Sequence, residues 1–112
     1  MTISTHVLDT SLGRPAASMN VRLQRMEGDA WVDVSRENTN ADGRVAAMLP
    51  ADTAAPPGTY RLLFDAGVYF ARRGSQSFYG MVTIEFMARD ASAHYHVPLL
   101  LSPFGYSTYR GS

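Results

Sequence analysis

The sequence predicts an all-β protein, an antiparallel β-sandwich of about eight strands with one short helix. Three observations predict it: the number of period-two apolar runs, the close spacing of turn signals between them, and the size of the chain. At 112 residues the chain reads as a single domain spanning residues 1–112. A domain of that size buries roughly two-thirds of its unfolded surface, enough for one modest core. No internal repeat, linker or low-complexity segment interrupts it.

The elements follow in order. "ISTHVLD" alternates, with Ile3, Thr5 and Val7 on one face and Ser4, His6 and Leu8 on the other. "SLGRPA" is a turn by its Gly and Pro. "MNVRLQRM" alternates again, Val21 and Leu23 against Arg22 and Gln24, and "AWVDVS" repeats the pattern after a Gly-Asp turn. "NADG" is a strong turn signal because Gly43 takes positive φ without steric cost. A strand "RVAAML" follows, and then "PADTAAPPG", whose three prolines make it a loop. "TYRLLFDA" is the next strand. "GVYFARRGSQS" is ambiguous and holds the one short helix or irregular chain. "MVTIEFMA" alternates cleanly, "DASA" turns into "HYHVPLLL", "SPFG" turns again, and "YSTYRGS" is the last strand.

One strand is apolar on both faces. In "VPLLL", Val97, Leu99 and Leu101 lie on one side and Pro98 and Leu100 on the other. A two-layer sandwich buries one face of each sheet. Leu8 presents the same conflict opposite Ile3 and Val7, so these strands call for a partner, most simply another copy of the chain.

Composition removes several functions. Ten basic residues balance ten acidic ones, so no net field favours nucleic acid or an anionic membrane. There is no cysteine, hence no disulfide, thiolate catalysis or Cys-based zinc site. No 18-residue apolar stretch spans a membrane. "MTISTHVLDT" does not read as a secretory signal, so the expected location is the cytoplasm. The chain carries no nucleophile elbow, P-loop or H-E-x-x-H motif.

The polar residues on the outward faces remain. Period two places His94, His96, Pro98 and Leu100 together, and His6 beside Leu8. If "SPFG" closes a hairpin, His96 and Tyr109 share a face, and Arg44, just past the Asp-Gly turn, reaches the same area. Each has an ordinary reading: strand histidines as half-buried polar residues, Arg44 as a solvated strand end, Tyr109 as an interface aromatic. Histidines at i and i+2 suit a metal pair, but no carboxylate or third histidine is evidently placed beside them. Composition and spacing alone stop at an oligomeric β-sandwich with a histidine-containing interface.

At "HYHVPLLLSPFGYSTYRGS" the sequence resembles the transthyretin-like family, in its hydroxyisourate hydrolase branch. The terminal "YRGS" carries most of that resemblance. "STHVLDTSLGRPA", "ADGRV" and "PPGTYRLLFDAGVYF" extend it over essentially the whole chain. Tyr79-Gly80 departs from the Phe-Phe-Pro stretch of many members. The resemblance implies a homotetramer built as a dimer of dimers, with sites where the dimers meet. It implies a small, planar, oxidised purine as substrate, opened by water at a ring amide, with no cofactor and no metal. His6, Arg44, His96 and Ser112 would be the catalytic set, with substrate bound by His6, Arg44, Tyr109, Arg110 and Gly111. Histidines suit proton transfer near neutral pH, and Arg44 suits a developing oxyanion. His94, one pleat from His96, is expected to be structural.

Overall fold

A computed structural model describes residues 1–112. Its strands are β1 (Thr2–Asp9), β2 (Arg14–Pro15), β3 (Asn20–Glu27), β4 (Ala30–Asn38), β5 (Arg44–Val45), β6 (Gly58–Asp65), β7 (Met81–Ala88), β8 (His94–Ser102) and β9 (Gly105–Thr108), with one helix, α1 (Ala66–Arg72). One sheet runs β2-β1-β8-β9, with β5 also on the free side of β1; the other runs β4-β3-β6-β7. The two sheets face each other as a sandwich.

The alternation sets the core. Ile3 and Val7 of β1, Val21 and Leu23 of β3, Leu62 and Phe64 of β6, and Leu99 and Leu101 of β8 are fully buried between the sheets. Together with Tyr60, Phe70, Val82, Tyr95 and Val97 they belong to one cluster of 20 buried residues. The ambiguous segment resolves into α1. The Asp65 carboxylate accepts from the Val68 N–H, and Ala66, Tyr69 and Phe70 form the buried stripe of a helix at i, i+3 and i+4.

Three details differ from the expected pattern. First, β1 and β8 pair in parallel, Ser4 opposite His96 and Leu8 opposite Leu100. They lie far apart in sequence and no hairpin joins them, so nothing forces the antiparallel sense. Second, the strand expected at residues 44–49 is only Arg44–Val45. The chain then crosses between the sheets: the Met48 N–H donates to the Ile3 carbonyl, and the Met48 carbonyl accepts from the Ser35 hydroxyl of β4. Third, β9 stops at Thr108 rather than running to Ser112. Pro98 has no N–H to give the ladder, and its carbonyl is taken by the Thr108 hydroxyl at 2.7 Å. Pairing resumes at one point, where the Gly111 N–H donates to the His96 carbonyl at 2.8 Å.

Candidate active site

The outer face of the first sheet gathers the histidines. On β1, Thr2, Ser4, His6 and Leu8 point outward. On β8, His94, His96, Pro98 and Leu100 lie directly beside them in register. Across the other edge of β1, His6 is the register partner of Arg44. The Asn40–Gly43 turn aims that arginine. The Asn40 side-chain carbonyl accepts from the Asp42 and Arg44 N–H groups. Gly43 holds φ +74°, and a Cβ there would strike the Val7 carbonyl, so no other residue fits this approach.

The C-terminal segment closes the site from the opposite side. Its bridge to His96 brings Ser112 to the rim of a pocket of about 270 Å³ lined by Ser4, Arg44, His94, His96 and Ser112. His6, half-buried, is paired with Arg44 across the β1–β5 ladder but is not among the residues that line this pocket. The backbone at Gly111 lies on the His96 ring itself. Four segments distant in sequence thus meet on one surface.

The same segment also borders the edge between the two sheets. Beyond it lies a second, more apolar groove of about 230 Å³, bounded by Ile84, Phe86 and Met87 of β7 and by Tyr95, His96 and Tyr109. Tyr109 lines this groove, and Ser112 lines the polar pocket, so the two do not share one cavity within a single chain. Arg110 turns away from Arg44 altogether. Its guanidinium lies 4.7 Å over the Tyr95 ring and donates to the His94 carbonyl at 3.3 Å. It thus lies in the same groove as Tyr109, away from the polar pocket. Its side chain braces the segment against β8.

Electrostatics favour a neutral His96. Burial, followed by the positive charges of His94, Arg44 and His6, holds its imidazole below the ordinary value of 6.5, with hydrogen bonding to Ser4 opposing. No group of three or more His, Cys, Asp or Glu residues is arranged to hold a metal ion. Sequence reading overlooked Ser4. Its hydroxyl lies 2.8 Å from His96 Nδ1 and 3.1 Å from His94 Nε2. The signal was present: period two puts Ser4 on the same face as His6.

The model of the HIUase/Transthyretin family matches residues 3–111. The chain belongs to this family. Among HIUase/Transthyretin proteins it is 50% identical to 5-hydroxyisourate hydrolase 2 of Rhizobium meliloti, over 98% of this chain and 95% of that one. It superposes on the solved 5-hydroxyisourate hydrolase of Klebsiella pneumoniae with a TM-score of 0.86 at 41% identity, both chains being fully covered. It also superposes on sea bream transthyretin in complex with thyroxine with a TM-score of 0.91 at 30% identity, covering 99% of this chain and 95% of that one. No helix of the HIUase/Transthyretin chain is long and apolar enough to cross a membrane.

Proposed function

We propose that this protein hydrolyses 5-hydroxyisourate to 2-oxo-4-hydroxy-4-carboxy-5-ureidoimidazoline, acting in urate breakdown as one hydrolase domain over residues 1–112. The observation that carries the reading is the meeting of Arg44, His96 and Ser112 at one polar pocket, with His6 opposite Arg44 in the β1–β5 pairing, in a chain half identical to a hydrolase of that name. The chemistry fits these groups. One histidine takes a proton from water, and the oxygen adds to a ring carbonyl. Arg44 holds the negative charge that develops on the carbonyl oxygen. The carbon–nitrogen bond then breaks and the leaving nitrogen takes a proton from the other histidine. Ser112 anchors substrate or water at the rim. Tyr109 contacts substrate from the adjoining groove, and Gly111 gives the segment its close approach to His96.

The working form in this proposal is a homotetramer, a dimer of dimers, with the cytoplasm as its location. Apolar residues on this sheet support an assembly: Leu8 and Leu100 are half-buried on the outer face, and Phe104, in the β8–β9 turn, and Tyr109 are 70% and 58% exposed. Small-molecule carriage without chemistry is the rival function. A pocket lined by two imidazoles and a guanidinium suits proton transfer better than passive binding of an apolar guest. The test is to add protein to freshly oxidised urate and follow the ultraviolet decay of the intermediate against its spontaneous rate. No acceleration would remove the hydrolase and leave the carrier.

A further inference from the structure

Behind His96 lies a chain of hydrogen-bonding groups that the proposed reaction does not use. The His94 and His96 rings are nearly parallel, 12° apart in plane with centroids 6.3 Å apart. The Ser4 hydroxyl sits between them, 2.8 Å from His96 Nδ1 and 3.1 Å from His94 Nε2. Thr2 extends the chain, its hydroxyl bonded to His94 Nδ1. Ser4 is 7% exposed, whereas His94 and Thr2 face solvent. The sequence therefore runs from a sheltered ring in the pocket, through a buried hydroxyl, to an exposed ring at the surface.

A hydroxyl has one proton and can donate to only one of two rings, while each neutral imidazole carries one N–H. The heavy-atom positions accommodate two arrangements. In one, Thr2 donates to His94 Nδ1, His94 Nε2 donates to Ser4, and Ser4 donates to His96 Nδ1, so that His96 presents an N–H at Nε2. In the other every bond is reversed, and His96 Nε2 presents a lone pair. Reversing the chain turns His96 from acid to base with no change of net charge.

We propose that Ser4 and His94 are positioning residues forming a proton relay that resets His96 between turnovers. The inference rests on the hydrolase reading given above. When one histidine serves as base and the other as acid, each turnover ends with the pair in inverted protonation states. The relay restores His96 from outside. A proton arriving at Nε2 of His96 is matched by transfer of its Nδ1 proton to Ser4, of the Ser4 proton to His94 Nε2, and of the His94 Nδ1 proton through Thr2 to water. Supply of a proton runs the same steps backward. The ionisable groups around His96 are His6 on β1, Arg44 on β5 and His94 on β8, with Glu85, Tyr109 and Arg110 in the adjoining groove. None of these others bonds to Nδ1 of His96; Ser4 does.

The test compares wild type, Ser4→Ala, Ser4→Thr and His94→Gln for kcat, KM and dependence on imidazole buffer. Ser4→Ala is expected to lose about tenfold in kcat, less than a directly acting acid or base would cost, with KM little changed. Ser4→Thr keeps the hydroxyl and should restore the rate. His94→Gln should lose a similar factor and recover it as imidazole is raised, because the missing group sits at the surface; wild type should not respond. Rates at the wild-type level in both Ser4→Ala and His94→Gln would overturn the relay, as would a loss in His94→Gln that imidazole leaves unrepaired. If Ser4→Ala does not fold, the exposed His94 decides the matter alone. A wild type that fails to accelerate the decay would instead overturn the hydrolase reading.

Discussion

Gly111→Ala isolates the dependence of the site on the C-terminal segment. An alanine Cβ at this position would lie 3.2 Å from His96 Cγ and 3.2 Å from Pro98 Cγ, and would overlap His96 Cδ2. Carbon atoms pack at about 3.5–4.0 Å, so a shift on the order of an ångström is needed to relieve the overlap. Two routes exist: the His96 ring swings off Ser4, or the segment lifts and loses the Gly111–His96 hydrogen bond. The second route removes one backbone bond, about 1 kcal/mol. For a chain of this length that lowers Tm by roughly 4 °C. Displacement of a catalytic group by such a distance costs about a hundredfold in rate. The expected result is a folded protein with kcat/KM down by that factor in the 5-hydroxyisourate decay assay. Gly105→Ala is the control, since its Cβ meets nothing nearer than Ser102 Oγ at 3.9 Å. Wild-type kcat/KM in Gly111→Ala would refute the claim that the segment and His96 form one unit.

His6→Ala and His96→Ala should each lower kcat on the order of a hundredfold or more, measured by the same decay; unchanged rates would return both to structural roles. Deleting Tyr109–Ser112 should abolish turnover while circular dichroism still reports a β-protein, because β9 ends before the deletion. Arg44→Gln should raise the His96 pKa towards 6.5 by removing a neighbouring cation, as read by NMR titration of its ring proton. In the native protein that pKa is depressed, so the folded state binds fewer protons than the unfolded state below about 6.5. His96 therefore contributes stability above that pH, lost as pH falls through its folded pKa. Away from the site, the fully buried Asp9 carboxylate accepts from the Tyr69 hydroxyl at 2.8 Å and the Ser11 N–H at 3.0 Å. Tyr69→Phe leaves it one donor short and should cost about 1.5–3 kcal/mol in urea unfolding.

Alternation made most of the fold legible. Ile3, Val7, Val21, Leu23, Leu62, Phe64, Leu99 and Leu101 are core residues because their neighbours at odd spacing are polar or face outward. Local pattern does not encode sense of pairing, so the parallel β1–β8 ladder was not readable from it. Nor does it show where a strand leaves its sheet. "RVAAML" carries apolar residues throughout, and the Met48 bonds that carry it across are long-range. At the site, period two sorted the outward residues, including His6 and His96, but not the meeting of Arg44, His96 and Ser112 at one pocket with His6 opposite Arg44. That depends on Arg44 falling opposite His6 and on the detour at Pro98, both products of register. Period two also puts Ser4 on the face of His6, but its role shows only in the distances from its hydroxyl to two imidazoles.

The parallel pairing of β1 with β8 also fixes a timetable. Ser4 and His96 are 92 positions apart. At ribosomal speeds of about 5–20 residues per second, β1 leaves the ribosome on the order of 5–20 s before its neighbour exists. Until then Ile3 and Val7 have no β8 to lie beside, and the strand offers an unpaired edge to other nascent chains. Contacts of such long range also slow folding once synthesis ends. The outer-face pairing of Ser4 with His96 is thus among the last contacts the polypeptide can make.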